Sequence, residues 1–256
     1  ARSLAVLTGA GVSTASGSPD YRDEDGTWKT AEPIQVAAFA GSEEARQRYW
    51  ARSFLGWRRF GRAEPNDAHR SLARLEASGR VDTLITQNVD KLHSRAGSNR
   101  VIDLHGDLSR VRCLDCGVTA HRDEFQRRLE AANPDWEARV VHYRPDGDAE
   151  LANTAHASFE VPGCLSCGGR MKPDVVMFGE NVPQERVADA MSAVDRADAL
   201  LVVGSSLMVF SGFRFARRAH ETGKPILIVN RGKTRADYIA ALKVYADCAE
   251  TLAAAI

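Results

Sequence analysis

Four of the five cysteines in the sequence stand in two C-x-x-C pairs, and each pair is followed by a glycine. The pairs are Cys113 with Cys116 and Cys164 with Cys167. A C-x-x-C turn places two thiolates on one side of a tight loop, and two such turns complete a tetrahedron around Zn²⁺. Because four sulfur ligands leave no open coordination position, we predict one structural zinc ion.

The zinc interpretation has two alternatives, which are unrelated pairs of buried thiols or a redox-active pair. The stretch from 117 to 163 is longer than the roughly 15–20 residues of a usual zinc ribbon, so we expect the ribbon to carry an insertion. Cys248 stands alone, and we expect it to be a small buried hydrophobic residue.

A glycine-rich loop follows the first apolar run, Leu4–Thr8. Gly9 and Gly11 are spaced for a tight turn that approaches a dinucleotide phosphate, but Thr14 replaces the third glycine of G-x-G-x-x-G. The loop then continues to an acid, an aromatic and a base, which are Asp20, Tyr21 and Arg22. A phosphate loop does not need these side chains, so the sequence indicates a second task for its far end.

Polar residues end further apolar runs. Amide and carboxylate side chains can bind a carboxamide or ribose hydroxyls, and a histidine at a strand end is a candidate general base. These residues are Gln87, Asn88 and Asp90 after one run, His105 after the next, then Gly204, Ser205 and Ser206, and finally Asn230, Arg231 and Gly232. A helix cap or a core histidine would explain any one of these positions. The convergence of all of them on one edge favours a binding site.

The apolar runs are continuous rather than alternating, which is typical of strands buried on both faces of a parallel sheet. They are Leu4–Thr8, Asp82–Gln87, Arg100–Gly106, Ala199–Ser206 and Pro225–Gly232. Helical patterns lie between them at 66–79, 183–198 and 211–223. We therefore predict an α/β fold with a doubly wound, Rossmann-like parallel sheet, whose ligands lie at the carboxyl ends of the strands.

Two stretches interrupt this alternation. Residues 30–62 are helical in pattern and rich in arginine and aromatics, and residues 109–172 hold the paired cysteines. We predict that these insertions form a smaller helical and zinc-binding domain. The sheet domain then consists of 1–29, 63–108 and 173–256.

The composition limits the function classes. The chain has 256 residues, of which 44% are hydrophobic, and its 34 basic residues balance 34 acidic ones. This balance argues against a nucleic-acid-binding protein, and no apolar run approaches the about 20 residues that span a bilayer. We expect that the protein binds neither nucleic acid nor a membrane, and that it is a monomer.

Paired cysteines favour a reducing compartment, the bacterial cytoplasm or the mitochondrial matrix. Because the chain starts almost inside its first predicted strand, we also expect a trimmed N-terminus.

Taken together, these motifs resemble the sirtuin family over essentially the whole chain. The carrying motifs are GAGVSTASGSPDYR, TQNVDKLH, LHG, the two C-x-x-C pairs, KPDVVMFGE, VVGSSL and IVNRG. Details such as RYWARSF, RPDGD and the long insertion resemble class II, the sirtuin-four branch. Ser18 departs from the isoleucine usual in the family.

The resemblance implies NAD-dependent removal of acyl groups from protein lysines, with release of nicotinamide and O-acyl-ADP-ribose. His105 matches the family's general base, and Asn88 and Asp90 match residues that handle the nicotinamide carboxamide and a nearby water. The implied NAD contacts are Gly9, Ala10, Gly11, Ser13, Asp20, Tyr21, Arg22, Gln87, Asn88, Asp90, Gly204, Ser205, Ser206, Asn230, Arg231, Gly232 and Cys248. Backbone N–H groups of Gly9–Ser13 are expected to hold the diphosphate, and Cys248 to contact adenine through its backbone.

The resemblance also implies a substrate edge and a specificity pair. A substrate peptide is expected to pair as a strand with the edge formed by Val175, Val176, Phe178 and Gly179. Tyr49 and Arg52 form a Y-x-x-R like the pair that recognises acidic acyl groups in the desuccinylase branch. We therefore predict a preference for acyl groups longer or more acidic than acetyl; the alternative is that both residues simply pack and solvate one helix face.

Other functions fit parts of the sequence. A mono-ADP-ribosyltransferase would share the NAD cleavage and differ in the acceptor. A non-catalytic module that senses NAD or ADP-ribose would not need His105 and Asn88. A dehydrogenase is disfavoured by the missing third glycine and the absence of a ribose-binding acid about 20 residues further on.

Overall fold

The structure is a computed structural model that describes residues 2–29, 33–143, 148–151 and 155–255. The chain divides into two compact units. The sheet unit consists of Ala1–Ala31, Ala63–His105 and Val182–Ile256, and the cysteine unit of Glu32–Arg62 and Gly106–Asn181. The R-P-D-G-D detail of the resemblance begins in 144–147, which lie outside the described residues.

The sheet unit is built on six parallel strands. Numbered along the whole chain, they are β1 (Leu4–Thr8), β2 (Val81–Thr86), β3 (Val101–Asp103), β9 (Ala199–Val203), β10 (Ile226–Val229) and β11 (Leu242–Val244). Their order across the sheet is β11-β10-β9-β1-β2-β3, and every neighbouring pair is parallel. β1 and β9 are almost wholly buried, as their continuous apolar character predicts.

Helices lie between these strands, and one more follows the last strand. They are α3 (Asp67–Ala77), α4 (Leu92–Arg95), α6 (Gln184–Arg196), α7 (Phe210–Glu221) and α8 (Cys248–Ala255), with 3₁₀ helices at Ala10–Ser16 and Asp237–Ile239. Asn66 caps α3 by accepting a hydrogen bond from the N–H of Ala68 at 2.9 Å, as the sequence indicates. The prediction of a parallel, Rossmann-like sheet with helices is confirmed.

The cysteine unit has its own elements. They are α1 (Val36–Gly41), α2 (Glu43–Phe60), β4 (Gly106–Cys113), β5 (Thr119–His121), α5 (Arg122–Ala132), β6 (Val140–Tyr143), β7 (Ala149–Leu151), a 3₁₀ helix at Ala155–Ser158 and β8 (Met171–Val175). β5, β4 and β8 form an antiparallel sheet, and β6 pairs with β7. An aromatic core that includes Trp50, Phe125 and Phe159 is buried among these elements.

Among the described residues, the observed unit boundaries differ from the predicted domain boundaries in two places. Residues 106–108 and 173–181 belong to the cysteine unit. The reason is that β4 pairs antiparallel with β8, which removes both segments from the parallel sheet. The predicted strand Arg100–Gly106 is therefore β3 followed by the start of β4, not one strand. Among the described residues, no helix combines the length and apolar character needed to cross a membrane.

Candidate functional site

The loop after β1 is fastened to the end of β9. Gly9 donates a backbone hydrogen bond to the Val203 carbonyl at 3.3 Å, and Gly11 donates to the Gly204 carbonyl at 2.9 Å. Gly204 has φ +59°, and a Cβ atom on it would lie 2.3 Å from the Val12 nitrogen. Only glycine fits this contact. The N–H groups of Gly9 and Gly11 are thus engaged within the protein, contrary to the expectation that they would be offered to a diphosphate.

Ser13 joins the residues predicted to handle the nicotinamide. Its Oγ donates to Oδ2 of Asp90 at 2.7 Å and accepts from Nδ2 of Asn88 at 3.0 Å. Asp90 also accepts from the Leu92 N–H at 3.0 Å. Burial raises the pKa of the Asp90 carboxyl above its usual value, although these hydrogen bonds oppose the shift. The structure therefore brings Ser13, Asn88 and Asp90 into one polar cluster.

Two buried histidines extend this cluster into the protein. Nε2 of His69 lies 3.4 Å from Oγ of Ser13, and the rings of His69 and His93 are 4.7 Å apart. Burial, with a smaller contribution from Arg70, lowers the pKa of His69 to about 4. Burial also lowers the pKa of His93. Both rings are neutral near pH 7, and sequence reasoning did not single them out.

His105 follows β3, at the carboxyl-end side of the sheet. Its Nδ1 lies 2.8 Å from the Gln87 carbonyl, and its Nε2 lies 2.8 Å from Oγ of Ser211. Burial lowers the pKa of His105 to about 4, and Arg186 and Arg214 act in the same direction, whereas the Gln87 hydrogen bond opposes them. The imidazole is therefore neutral near pH 7, as a general base must be.

Gln87 and Ser205 form the neighbouring part of the same edge. Nε2 of Gln87 donates to Oγ of Ser205 at 2.7 Å and to the Thr8 carbonyl at 3.2 Å. These contacts place the ends of β1, β2 and β9 beside one another. Two of the predicted ligand groups, the Gln87 amide and the Ser205 hydroxyl, thus hold each other.

The far end of the glycine-rich loop forms a compact local structure. Tyr21 packs edge-on against Trp28 with ring centroids 5.9 Å apart. The Arg22 guanidinium lies 4.0 Å from the centre of the Trp28 ring and donates to the Gly26 carbonyl at 2.7 Å. Asp20 forms an ion pair with Lys29. The acid, the aromatic and the base therefore shape the loop itself.

The end of β10 carries the residues predicted for ribose and adenine. Asn230 donates through Nδ2 to the Gly232 carbonyl at 2.9 Å, and Arg231 lies 3.5 Å from Asp247. Cys248 is buried, and burial raises the pKa of its thiol to about 12. The thiol therefore stays protonated, in accord with the small hydrophobic role that the sequence indicates. The Ser206 carbonyl accepts from the Arg235 N–H at 2.8 Å.

The four paired cysteines converge in the cysteine unit. All four Sγ atoms lie within 4.8 Å of one another, with Cys113 and Cys167 at 3.6 Å and Cys116 and Cys164 at 3.7 Å. A tetrahedral Zn²⁺ site with metal–sulfur bonds of about 2.3 Å requires sulfur–sulfur distances of about 3.8 Å. The donor set therefore fits a structural zinc ion, as predicted.

The two C-x-x-C turns have the same local structure. Gly117 and Gly168 donate to the carbonyls of Cys113 and Cys164 at 3.0 and 2.8 Å, and they have φ values of +75° and +72°. The trailing glycines noted in the sequence thus close the two turns. Arg170 bridges one turn to the other through an ion pair with Asp115.

The predicted substrate residues also lie in the cysteine unit. The Tyr49 ring is buried, edge-on to Phe39 with centroids 5.3 Å apart. Arg52 donates through Nε to the Ala149 carbonyl at 2.9 Å, and its guanidinium lies 3.0 Å from Asp148. The Tyr49 ring therefore packs against α1, and the Arg52 guanidinium lies against the start of β7.

The predicted substrate edge follows β8. Phe178 forms a parallel bridge with Gln35, and its carbonyl accepts from the Val36 N–H at 2.8 Å. Val175 is the last residue of β8, and Val176 is partly exposed. Gly179 is exposed and has φ +80°. The segment is therefore a strand as far as Val175, and Val175 and Val176 are only partly buried.

The amino-acid sequence was compared with those of known proteins. The model of the Sir2 family matches residues 9–211. NAD-dependent protein deacetylase 2 of Bradyrhizobium diazoefficiens is 56% identical over 250 residues, which cover 98% of this chain and 92% of that protein. NAD-dependent protein deacetylase 1 of Streptomyces coelicolor is 53% identical over 239 residues, which cover 93% and 80%.

Solved structures give the same result. A structure described as "Sir2-p53 peptide-NAD+" matches with a TM-score of 0.79 at 32% identity, covering 98% of this chain and 90% of that one. A second, "Sir2 bound to acetylated peptide", matches with a TM-score of 0.78 at 32% identity and the same coverage. With the family model spanning most of the sequence and relatives above half identity, the chain belongs to the Sir2 family, the sirtuins.

Proposed function

We propose that the protein is an NAD-dependent protein deacetylase that removes acyl groups from lysine side chains. The observation that carries this proposal is His105, a neutral imidazole at a strand end with Nδ1 held by a backbone carbonyl. The relatives at 56% identity bear the name NAD-dependent protein deacetylase, which supports the same activity.

The residues that would hold NAD lie at the carboxyl ends of β1, β2, β9 and β10. The β1 loop approaches Gly204 so closely that a side chain at Gly204 would not fit, and a tight glycine-rich turn after the first strand is typical of dinucleotide sites. When bound, NAD would supply the ribose carbon that accepts the acyl oxygen as nicotinamide leaves; with one water consumed, the products would be the free lysine amine and O-acyl-ADP-ribose. The Asn88 amide and the Asp90 carboxyl, both held by Ser13, would orient the carboxamide.

His105 would accept a proton from a hydroxyl of the reacting sugar at Nε2. The nitrogen can do so because Nδ1 already carries the ring proton that the Gln87 carbonyl requires. Burial and the two arginines keep the ring uncharged before the proton arrives. A protein or peptide substrate would pair with the segment at the end of β8, at Val175 and Val176.

The proposed activity is tested with a panel of acyl-lysine peptides and NAD. We expect nicotinamide release with acetyl peptide, and mass spectrometry is expected to detect O-acetyl-ADP-ribose. His105→Ala should lower product formation by about 100-fold or more, because general-base catalysis contributes roughly that much. ADP-ribose attached to protein would instead indicate a mono-ADP-ribosyltransferase, and no nicotinamide release with any peptide would contradict both enzymes.

A preference for longer or acidic acyl groups is the finer proposal. Its support is the Y-x-x-R pair, but an acidic acyl group must compete with Asp148 for the Arg52 guanidinium. Asp148→Asn should therefore raise the turnover of succinyl and glutaryl peptides relative to that of acetyl peptide. Arg52→Ala should remove the turnover of the succinyl and glutaryl peptides.

The matched control is Arg58→Ala, an exposed arginine on the same helix. Unchanged succinyl, glutaryl and hydroxymethylglutaryl turnover in Arg52→Ala would contradict the preference.

A further inference from the structure

Ser211 contacts the proposed general base although no predicted binding motif includes it. It lies in the first turn of α7, and its Oγ is 2.8 Å from Nε2 of His105. The two residues are 106 positions apart in the sequence. Both belong to the sheet unit.

The roles of the two imidazole nitrogens follow from their partners. A backbone carbonyl only accepts hydrogen bonds, so Nδ1 must carry the proton in its 2.8 Å contact with Gln87. In the neutral ring Nε2 is then an acceptor, and the Ser211 hydroxyl must donate to it. Ser211 and Gln87 therefore hold the ring at both nitrogens.

A hydroxyl suits a nitrogen that changes its protonation state. It donates to Nε2 in the neutral ring, and it can rotate to accept from the N–H of the imidazolium. A carboxylate at the same place would favour the imidazolium and keep His105 charged before the reaction. Arg186 and Arg214 carry positive charges that disfavour the imidazolium form of His105. A hydroxyl that can accept a hydrogen bond from the imidazolium therefore helps to stabilise it.

We propose that Ser211 is a positioning residue for the general base: its hydroxyl donates to the single lone pair of Nε2 and holds the His105 ring until the sugar hydroxyl takes its place there, and it then turns to share in accepting from Nε2–H after proton transfer. The inference rests on the proposed deacetylase function for its catalytic consequence. Its structural part, the hydrogen bond from Ser211 to Nε2, is independent of that function.

Two variants test the hydroxyl. Ser211→Ala should lower kcat by about 10- to 100-fold with little change in KM, since a hydrogen bond to a charged group has roughly this effect on a rate. Ser211→Thr keeps the hydroxyl and should stay within about threefold of the unchanged protein. Ser192→Ala, which removes an exposed serine from α6, is the matched control.

A double-variant cycle tests whether Ser211 acts through His105. In a His105→Ala background, Ser211→Ala should have no further effect on product formation. A further loss as large as in the unchanged background would overturn the proposal. A threonine variant as slow as the alanine variant, with an unchanged thermal midpoint, would also overturn it.

Histidine nitrogen NMR gives a readout that does not need activity. In ¹⁵N-histidine-labelled protein, His105 should show a protonated Nδ1 and a hydrogen-bonded, unprotonated Nε2. The Nε2 resonance should move downfield in Ser211→Ala and not in Ser192→Ala, because an unprotonated nitrogen loses its donor. Unchanged resonances would overturn the proposal, whereas failure of every acyl peptide to release nicotinamide would overturn only the deacetylase function.

Discussion

Serine hydroxyls organise much of the polar chemistry at the residue scale. Ser13 links Asn88 to Asp90, and Ser205 holds the Gln87 amide. Hydroxyls serve here because each can donate to one partner and accept from another. The charged and amide groups of the proposed NAD site are therefore fixed before any ligand arrives, which lowers the entropy cost of binding.

Gly204 gives a prediction at this scale. Gly204→Ala should lower NAD affinity by at least about tenfold and destabilise the protein by more than the about 1–2 kcal/mol that a positive φ costs an L-residue. The reason is the 2.3 Å approach of its Cβ to the Val12 backbone. Isothermal titration with NAD and thermal unfolding measure the two effects.

Gly223→Ala is the matched control for Gly204→Ala. Gly223 has φ +69°, but its Cβ would meet no atom within 4 Å. This variant should show the backbone cost alone and keep its NAD affinity. Equal behaviour of the two variants would contradict the steric explanation.

At the scale of elements, the paired cysteines hold a small antiparallel sheet together. Cys113 ends β4, and the second pair of cysteines precedes β8 by a few residues. β5 and β8 have only three and five residues, and those of β5 are all partly buried or exposed. A metal ion that joins both turns would therefore contribute a large part of the stability of this sheet.

We predict one zinc ion per chain and its loss in ligand variants. Cys164→Ser should abolish stoichiometric zinc and lower the free energy of unfolding by several kcal/mol, because structural zinc binding is coupled to folding. Inductively coupled plasma mass spectrometry and chemical unfolding provide the measurements. Cys248→Ser, at the buried cysteine of the sheet unit, should keep its zinc; retention of zinc by Cys164→Ser would contradict the site.

The sequence predicted the parallel strands better than the antiparallel ones for a physical reason. Strands such as Ala199–Val203 are buried on both faces and appear as continuous apolar runs. β8 instead contains Lys172, Pro173 and Asp174, so neither hydrophobicity nor strand propensity indicates it. The prediction of one strand over Arg100–Gly106 was wrong because the chain leaves the parallel sheet after His105.

In the candidate site, too, some residues could be predicted from the sequence and others could not. Local motifs located the zinc ligands, because each C-x-x-C turn is a local structure with its own glycine. They did not indicate Ser211 or the buried His69 and His93, whose contacts join distant segments through the fold. A serine in a helical pattern has no local feature that distinguishes a contact with a base from exposure to solvent.

At the scale of the whole molecule, the buried histidines predict acid sensitivity. His69 has a pKa of about 4 in the folded protein, against about 6.5 in an unfolded chain. Between these values the unfolded chain binds more protons, so stability is fully present above pH 6.5 and falls as the pH drops toward 4. His93 and His105 act in the same direction, and the raised pKa of Asp90 opposes them.

We therefore expect the urea midpoint to decrease between pH 7 and pH 5. His69 alone should contribute up to about 1.4 kcal/mol per pH unit below 6.5. His69→Gln should have a shallower pH dependence, whatever its stability at pH 7. His220→Gln, which changes an exposed histidine of α7, should keep the original slope. A midpoint independent of pH over this range would contradict the prediction.

The strand order has a consequence for synthesis on the ribosome. β1 pairs on one side with β2 and on the other with β9, which is formed by Ala199–Val203. β1 is made before β9, so it keeps one open edge until Ala199–Val203 has been synthesised, although four of its five residues are buried in the folded protein. A nascent chain that stops before Ala199 would present this edge to other chains, so synthesis past β9 is itself a requirement for a closed hydrophobic core.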